Sequence, residues 1–135
     1  MASGAGAIDA MVAELEKDLR AEGWADHASV TRELANWATV ANIVNRYSMT
    51  VDDFTNDLSS RDYLELALGR LPVPAREWLS ESVAPLDDRF RDATVKDDRG
   101  LLGRFFRIDQ DSPWWWHRIP RAGPPADYLA GSDQH

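Results

Sequence analysis

The chain contains no cysteine, which excludes disulfides, thiolate metal sites and a thiol nucleophile. No apolar run approaches the roughly 20 residues of a membrane-spanning helix. The opening Met1-Ala2-Ser3-Gly4-Ala5-Gly6-Ala7 has neither the basic nor the apolar segment of a secretory signal. A cytoplasmic protein is the expectation, and the missing cysteine agrees with it. Histidine is scarce: His27, His117 and His135 are the three present. No Glu-x-x-His pair, Asp-rich calcium loop, nucleophile elbow, Gly-rich phosphate loop or dinucleotide fingerprint accompanies them. No metal or cofactor is therefore expected, and catalysis is the weaker reading. Lysine is nearly absent as well, since thirteen of the 15 basic residues are arginine.

What the chain does hold is enough apolar area for one core. It has 135 residues, 44% of them hydrophobic, with six Trp, four Phe and three Tyr. That is the size of one domain, and residues 1–135 are read as such. The formal charge is −8, so nucleic acid and an anionic membrane surface are disfavoured as partners. The charge is unevenly placed. Residues 1–98 carry −9 (19 acidic, 10 basic), residues 99–121 carry +3 (five basic, two acidic), and the last fourteen carry −2 (two acidic).

Hydrophobic spacing predicts four helices and an all-α, four-helix bundle-like domain with an extended Trp-rich C-terminal arm. Ile8, Met11, Val12, Leu15 and Leu19 recur at three and four, giving a first helix at about 7–21 with Gly23 as its cap. Val30, Leu34, Trp37, Ala41 and Val44 give a second at about 28–47, capped by Asp26 or Ser29. Thr50 caps a third at about 51–71, where Asp52 and Asp53 suit the positive helix end. Its inner stripe runs Val51, Phe54, Leu58, Leu64, Ala67, Leu68, Leu71, interrupted by Arg61 and Asp62. Pro72 and Pro74 punctuate a fourth at about 75–95, built on Trp78, Leu79, Val83, Leu86 and Phe90. Pro85 predicts a kink or break near Ala84. After the turn Lys96 to Gly100 and a short helix at Leu101 to Phe106, an arm at about 101–128 is expected to be extended. Pro113, Pro120, Pro124 and Pro125 argue against a long helix there. Fraying is expected after Asp127.

Several blocks read together as a signature: Phe54-Thr55-Asn56-Asp57-Leu58 with Arg61-Asp62, Pro85-Leu86-Asp87-Asp88-Arg89-Phe90-Arg91, Ala93-Thr94, and Trp114-Trp115-Trp116-His117-Arg118. In these the chain resembles a set of small acidic proteins of actinobacteria that carry the blocks in the same order. The resemblance spans roughly Leu34 to Pro120. It implies a shared fold and no particular chemistry.

Three constellations are candidates for function. Trp114, Trp115, Trp116, His117 and Arg118 lie in the basic arm. In an extended strand consecutive Trp point to alternate sides, so at least one is expected to face outward unless the arm is sandwiched. The alternatives are an aromatic platform for a partner, or a strap whose arginines pair with the acidic helices. His117 is the one histidine considered as a general base. Asn56, Asp57, Arg61 and Asp62 form the second group, with Asn56, Ser60 and Tyr63 as an adjacent row. Asp57 and Arg61 are four apart on a helix, which suits either a structural ion pair or an arginine held to clamp a carboxylate or phosphate. Asp87, Asp88, Arg89, Arg91 and Asp92 form the third, read as a solvated charged face with Asp87 reaching Arg91.

The leading expectation is a non-enzymatic binding module, immunity- or antitoxin-like or an accessory subunit, that masks a basic protein partner. The alternative is a small-molecule-binding protein or small enzyme. Its pocket would lie between bundle and arm, lined by Trp37, Tyr63, Trp78 and Trp115 with Asp57, Arg61 and His117 as polar groups. Self-association through the arm is a third option.

Overall fold

A computed structural model of the chain describes residues 3–45, 51–104 and 107–133. The order is α1 Ser3–Ala21, α2 Val30–Ile43, α3 Val51–Arg70, α4 Val73–Ala93, β1 Thr94–Lys96, β2 Arg118–Pro120 and α5 Pro124–Asp133, with single 3₁₀ turns at Leu102–Arg104 and Trp114–His117. The fold is all-α and bundle-like, and α2 packs on both α3 and α4. No described helix is long and apolar enough to cross a membrane.

The helix ends follow from local chemistry. Gly23 adopts φ +108°, and the amides of Gly23 and Trp24 donate back to the carbonyls of Arg20 and Leu19. This pair of bonds closes α1 as a Schellman motif. Ser29 caps α2, its hydroxyl accepting from the Arg32 amide. Glu16 of α1 accepts from the Val30 amide at 2.8 Å, placing a carboxylate on the positive end of α2. The expected cap Thr50, the side chain of Asp52, the expected end of the second helix at Tyr47 and the residue Phe106 lie outside the described residues.

α3 is the central helix. Phe54, Leu58, Tyr63, Leu64 and Ala67 are buried on it, and so are Thr55, Ser60 and Arg61, because α2, α4, α5 and the Trp turn all pack against it. Helix α4 buries Ala75, Leu79, Val83, Asp87 and Phe90. It runs through Pro85 as one helix, so the expected break is absent. Pro85 itself faces solvent.

The arm differs most from expectation. It is not extended: residues 114–117 form a tight 3₁₀ turn, and Pro124 and Pro125 open a further helix, α5, where the sequence reading placed a fraying end. Proline suits that first turn because the amide it lacks would have no helical partner. Asn45 fixes the entry to α5, its Oδ1 accepting from the Ala122 amide at 3.1 Å. Gly123 has φ +93°, and a Cβ there would lie 3.0 Å from the Asn45 carbonyl oxygen. Both the backbone angle and the close approach require glycine.

β1 leaves the end of α4 and pairs antiparallel with β2, in register Thr94↔Pro120, Val95↔Ile119 and Lys96↔Arg118. This two-stranded ladder, which helical periodicity does not signal, ties the arm to the bundle. Leu101, Leu102, Trp115, Trp116 and Leu129 join the same apolar core as the helices.

Candidate functional site

The polar centre of the molecule is built on Arg61. Its Nε and Nη2 donate to Asp87 Oδ1 and Oδ2 at 2.9 and 3.0 Å, and Nη1 donates to Glu65 at 3.0 Å. Asp87 Oδ1 also accepts from Trp37 Nε1 at 2.9 Å. Arg61 is 4% exposed and Asp87 8%, so this is a buried, two-pronged ion pair satisfied on both sides. Two expectations are corrected here. Asp57 is not the partner of Arg61, and Asp87 belongs to the core rather than to a solvated face. Each of its three nitrogens already donates to a carboxylate and the group is buried, so Arg61 is committed within the fold rather than offered to an incoming anion.

Asp62, the next residue, holds the Trp turn. Its Oδ1 accepts from Trp115 Nε1 at 2.8 Å and Trp116 Nε1 at 2.9 Å, with a further contact from Trp116 to Oδ2 at 3.1 Å. Two consecutive indoles can converge on one carboxylate because a 3₁₀ turn rotates each residue by about 120°. A strand would have sent them to opposite sides. Trp115 and Trp116 are 2% and 6% exposed, and the Arg61 guanidinium lies 4.3 Å over the Trp115 ring. The Trp run is therefore not an outward platform. It is a strap, held by indole N–H groups on Asp62 and by Arg118 on the end of α4. Burial raises the Asp62 pKa, and the two indole bonds and Arg61 oppose that rise. A cleft of about 470 Å³ opens beside it, lined by Asp62, Leu66, Arg107, Pro113, Trp115 and Trp116 among others.

The other arm residues face a second cleft. Trp114 packs on Phe90 and carries the Arg91 guanidinium 3.9 Å over its ring. Arg91 is only weakly paired with Asp88, at 3.4 Å and exposed, so the expected Asp87–Arg91 pair is absent. His117 Nε2 lies 3.0 Å from the Ser112 carbonyl. A carbonyl only accepts, so that nitrogen carries the proton. Arg118 donates Nε to Thr94 Oγ1 at 2.7 Å and Nη2 to the Thr94 and Arg91 carbonyls at 2.9 and 3.1 Å. It thereby satisfies the negative end of α4.

A third region gathers carboxylates. Asp57 is half-buried and its pKa is pushed up to about 6, by burial first and then by the charges of Asp53 and Glu33. Burial also raises Glu33, whose Oε2 is shielded from water without a hydrogen bond. Its Oε1 has the Ser60 hydroxyl at 3.5 Å. Tyr63 is buried against Trp24, its hydroxyl has no partner among the described residues, and burial with Glu16 and Glu33 pushes its pKa up to about 12. Asn56 is exposed nearby on α3. No described group of His, Asp or Glu has the arrangement to hold a metal ion.

The predicted residues thus divide. Trp115 meets Arg61 and shares Asp62 with Trp116, Trp114 lines a cleft with His117 and Arg118, and Asn56, Asp57 and Tyr63 have no described contact with the Trp run. Trp37 and Tyr63 are core residues in different surroundings, so the pocket expected to join them is not formed. Sequence reasoning gave Glu33 no role, read Asp87 as part of a solvated face, and grouped Asp62 with Asp57 and Arg61 without its tie to the Trp turn. Asp87 had a signal: it continues the spacing Leu79, Val83 and stands before Phe90, a charge inside an apolar stripe.

No family model, curated protein or solved structure matches the chain. Function is accordingly argued from the geometry of these sites.

Proposed function

We propose that the chain is a non-enzymatic, cytoplasmic binding module, immunity- or antitoxin-like or an accessory subunit, whose acidic helical body covers a basic segment of a protein partner. The observation that carries this reading is the carboxylate face on α2 and α3. Glu33 and Asp57 sit partly desolvated beside Asp53, and no described salt bridge reaches Glu33 or Asp57. Holding like charges together at the edge of water costs the free protein stability. An arriving lysine or arginine removes that cost, so the arrangement favours a bound state with a cation in it. The excess of −9 over residues 1–98 steers the same class of partner.

Capture from a lysate of the source with tagged wild-type chain and with the E33Q/D57N double variant tests it, alongside a labelled Arg/Lys-rich peptide as defined probe. The variant removes repulsion and is expected to stay folded. The reading expects peptide and partner to bind wild type at low salt, to wash off as salt rises, and to bind the variant about tenfold more weakly. Binding that ignores salt or the substitutions, or no binding at low salt, overturns it.

A second reading, a small-molecule site between bundle and arm, is supported by the cleft at Asp62, Leu66, Trp115 and Trp116. It expects planar, weakly basic compounds to compete for Asp62. A fragment screen in which no hit loses affinity on Leu66→Gln rejects it.

A further inference from the structure

The cleft between the end of α4 and the two-stranded ladder concentrates positive charge in an acidic protein. Lys96 and Arg118 are directly opposed across the ladder, so their side chains rise on the same face, a like-charge pairing that is unfavourable unless something compensates it. Arg91 projects into the same cleft, its guanidinium laid flat on Trp114. Arg121 adjoins: Arg118 has its pKa lowered by burial first, and then by the charges of Arg91 and Arg121. Among the described residues Lys96 has no ion-pair partner. Two carboxylates share the cleft. Both oxygens of Asp97 are taken by the amides of Leu101 and Leu102, at 2.8 and 3.0 Å. Asp98 is exposed. The cleft holds about 630 Å³, within the usual range for small-molecule sites.

We infer that this cleft binds a small phosphate monoester, its phosphoryl group seated between Arg91, Lys96 and Arg118. A phosphomonoester carries nearly two negative charges on three acceptor oxygens near neutral pH. That matches three cations lining one cleft: Arg91 laid on Trp114, the exposed Lys96, and Arg118, whose Nε and Nη2 are held at the end of α4 so that Nη1 is the nitrogen left to donate. A nucleic acid would bring many charges against a chain of −8. This site is separate from the carboxylate face, and neither reading depends on the other.

An amide-resolved NMR titration of the full chain with inorganic phosphate and glucose 6-phosphate, at constant ionic strength held by chloride, tests it. Saturable shifts confined to residues 91–98 and 114–121 are expected, with a Kd for the sugar phosphate below about 1 mM. Lys96→Gln, which removes an exposed side chain, is expected to weaken binding about fivefold, and Asp98→Asn to tighten it about twofold. Shifts that do not saturate by about 20 mM, an equal response to acetate, or binding indifferent to Lys96→Gln would each overturn the assignment. The backbone spectrum of each variant reports whether it has kept the fold.

Discussion

Asp57 shows how one half-buried carboxylate sets a pH dependence. Its folded pKa of about 6 lies above the ordinary 3.8, so the folded chain holds this proton to a higher pH than the unfolded chain does. Stability contributed here is therefore greatest in acid, falls as pH rises from about 4 to about 6, and is flat above that. A displacement of this size would be worth about 3 kcal/mol in a dry site. Water reaches one side of Asp57, and screening reduces the effect to about 1 kcal/mol. Asp57→Asn is expected to stabilise the protein by that amount near neutral pH and to flatten the slope between about pH 4 and 6. Urea denaturation across that range measures both. Arg61 and Asp87 obey the opposite logic, since each satisfies the other out of water. Asp87→Leu alone strands a buried guanidinium and the Trp37 indole, at a cost of about 3–5 kcal/mol. Arg61→Met with Asp87→Leu removes both charges and is expected to restore most of that loss. A double mutant as unstable as the worse single one would show that the pair does more than neutralise itself.

At the level of elements, the helices were legible because their cores repeat at three and four, and because Gly23, Ser29, Pro72 and Pro74 mark their ends. The arm was not legible, for a physical reason. Its conformation is decided by Asp62, which lies more than fifty residues upstream and draws two adjacent indoles to one side. No local propensity records that. Proline also misled there: Pro124 and Pro125 forbid a helix interior but suit a helix start. The candidate site was partly legible, since Trp114, His117 and Arg118 do line a cleft. Asp57 was found with the wrong partner, because i, i+4 spacing cannot see that Asp87 of α4 competes for Arg61. If Asp62 fastens the arm, Asp62→Asn, which replaces a charged acceptor by a weaker one, should loosen the arm before the bundle. The expected loss is about 2 kcal/mol. Amide exchange should quicken across residues 114–120 while α2 and the centre of α3 keep their protection. Uniform quickening along the chain would instead make Asp62 an ordinary core group.

For the whole molecule, the segment charges alone describe an acidic body and a basic strap as two parts. Packing argues otherwise. The arm supplies Trp115, Trp116 and Leu129 to the same apolar core as Trp37, Phe90 and Leu64. It also supplies the indole N–H groups that satisfy Asp62, and the guanidinium that closes α4. A chain ended at Gly100 would leave Asp62 without those donors and would bare one side of α3, the helix on which α2, α4, α5 and the Trp turn pack. Buried apolar area lost on that scale costs several kcal/mol, at about 25 cal/mol per Å², out of a total of about 5–15 kcal/mol for a domain. The truncated chain is therefore expected to lose its cooperative melting transition, or to melt more than about 10 °C lower, and to expose apolar surface to a hydrophobic dye. Calorimetry of the full and truncated chains decides the matter. A truncated chain that melts cooperatively near the full-length temperature would make the arm an appendage, and residues 1–100 the folding unit.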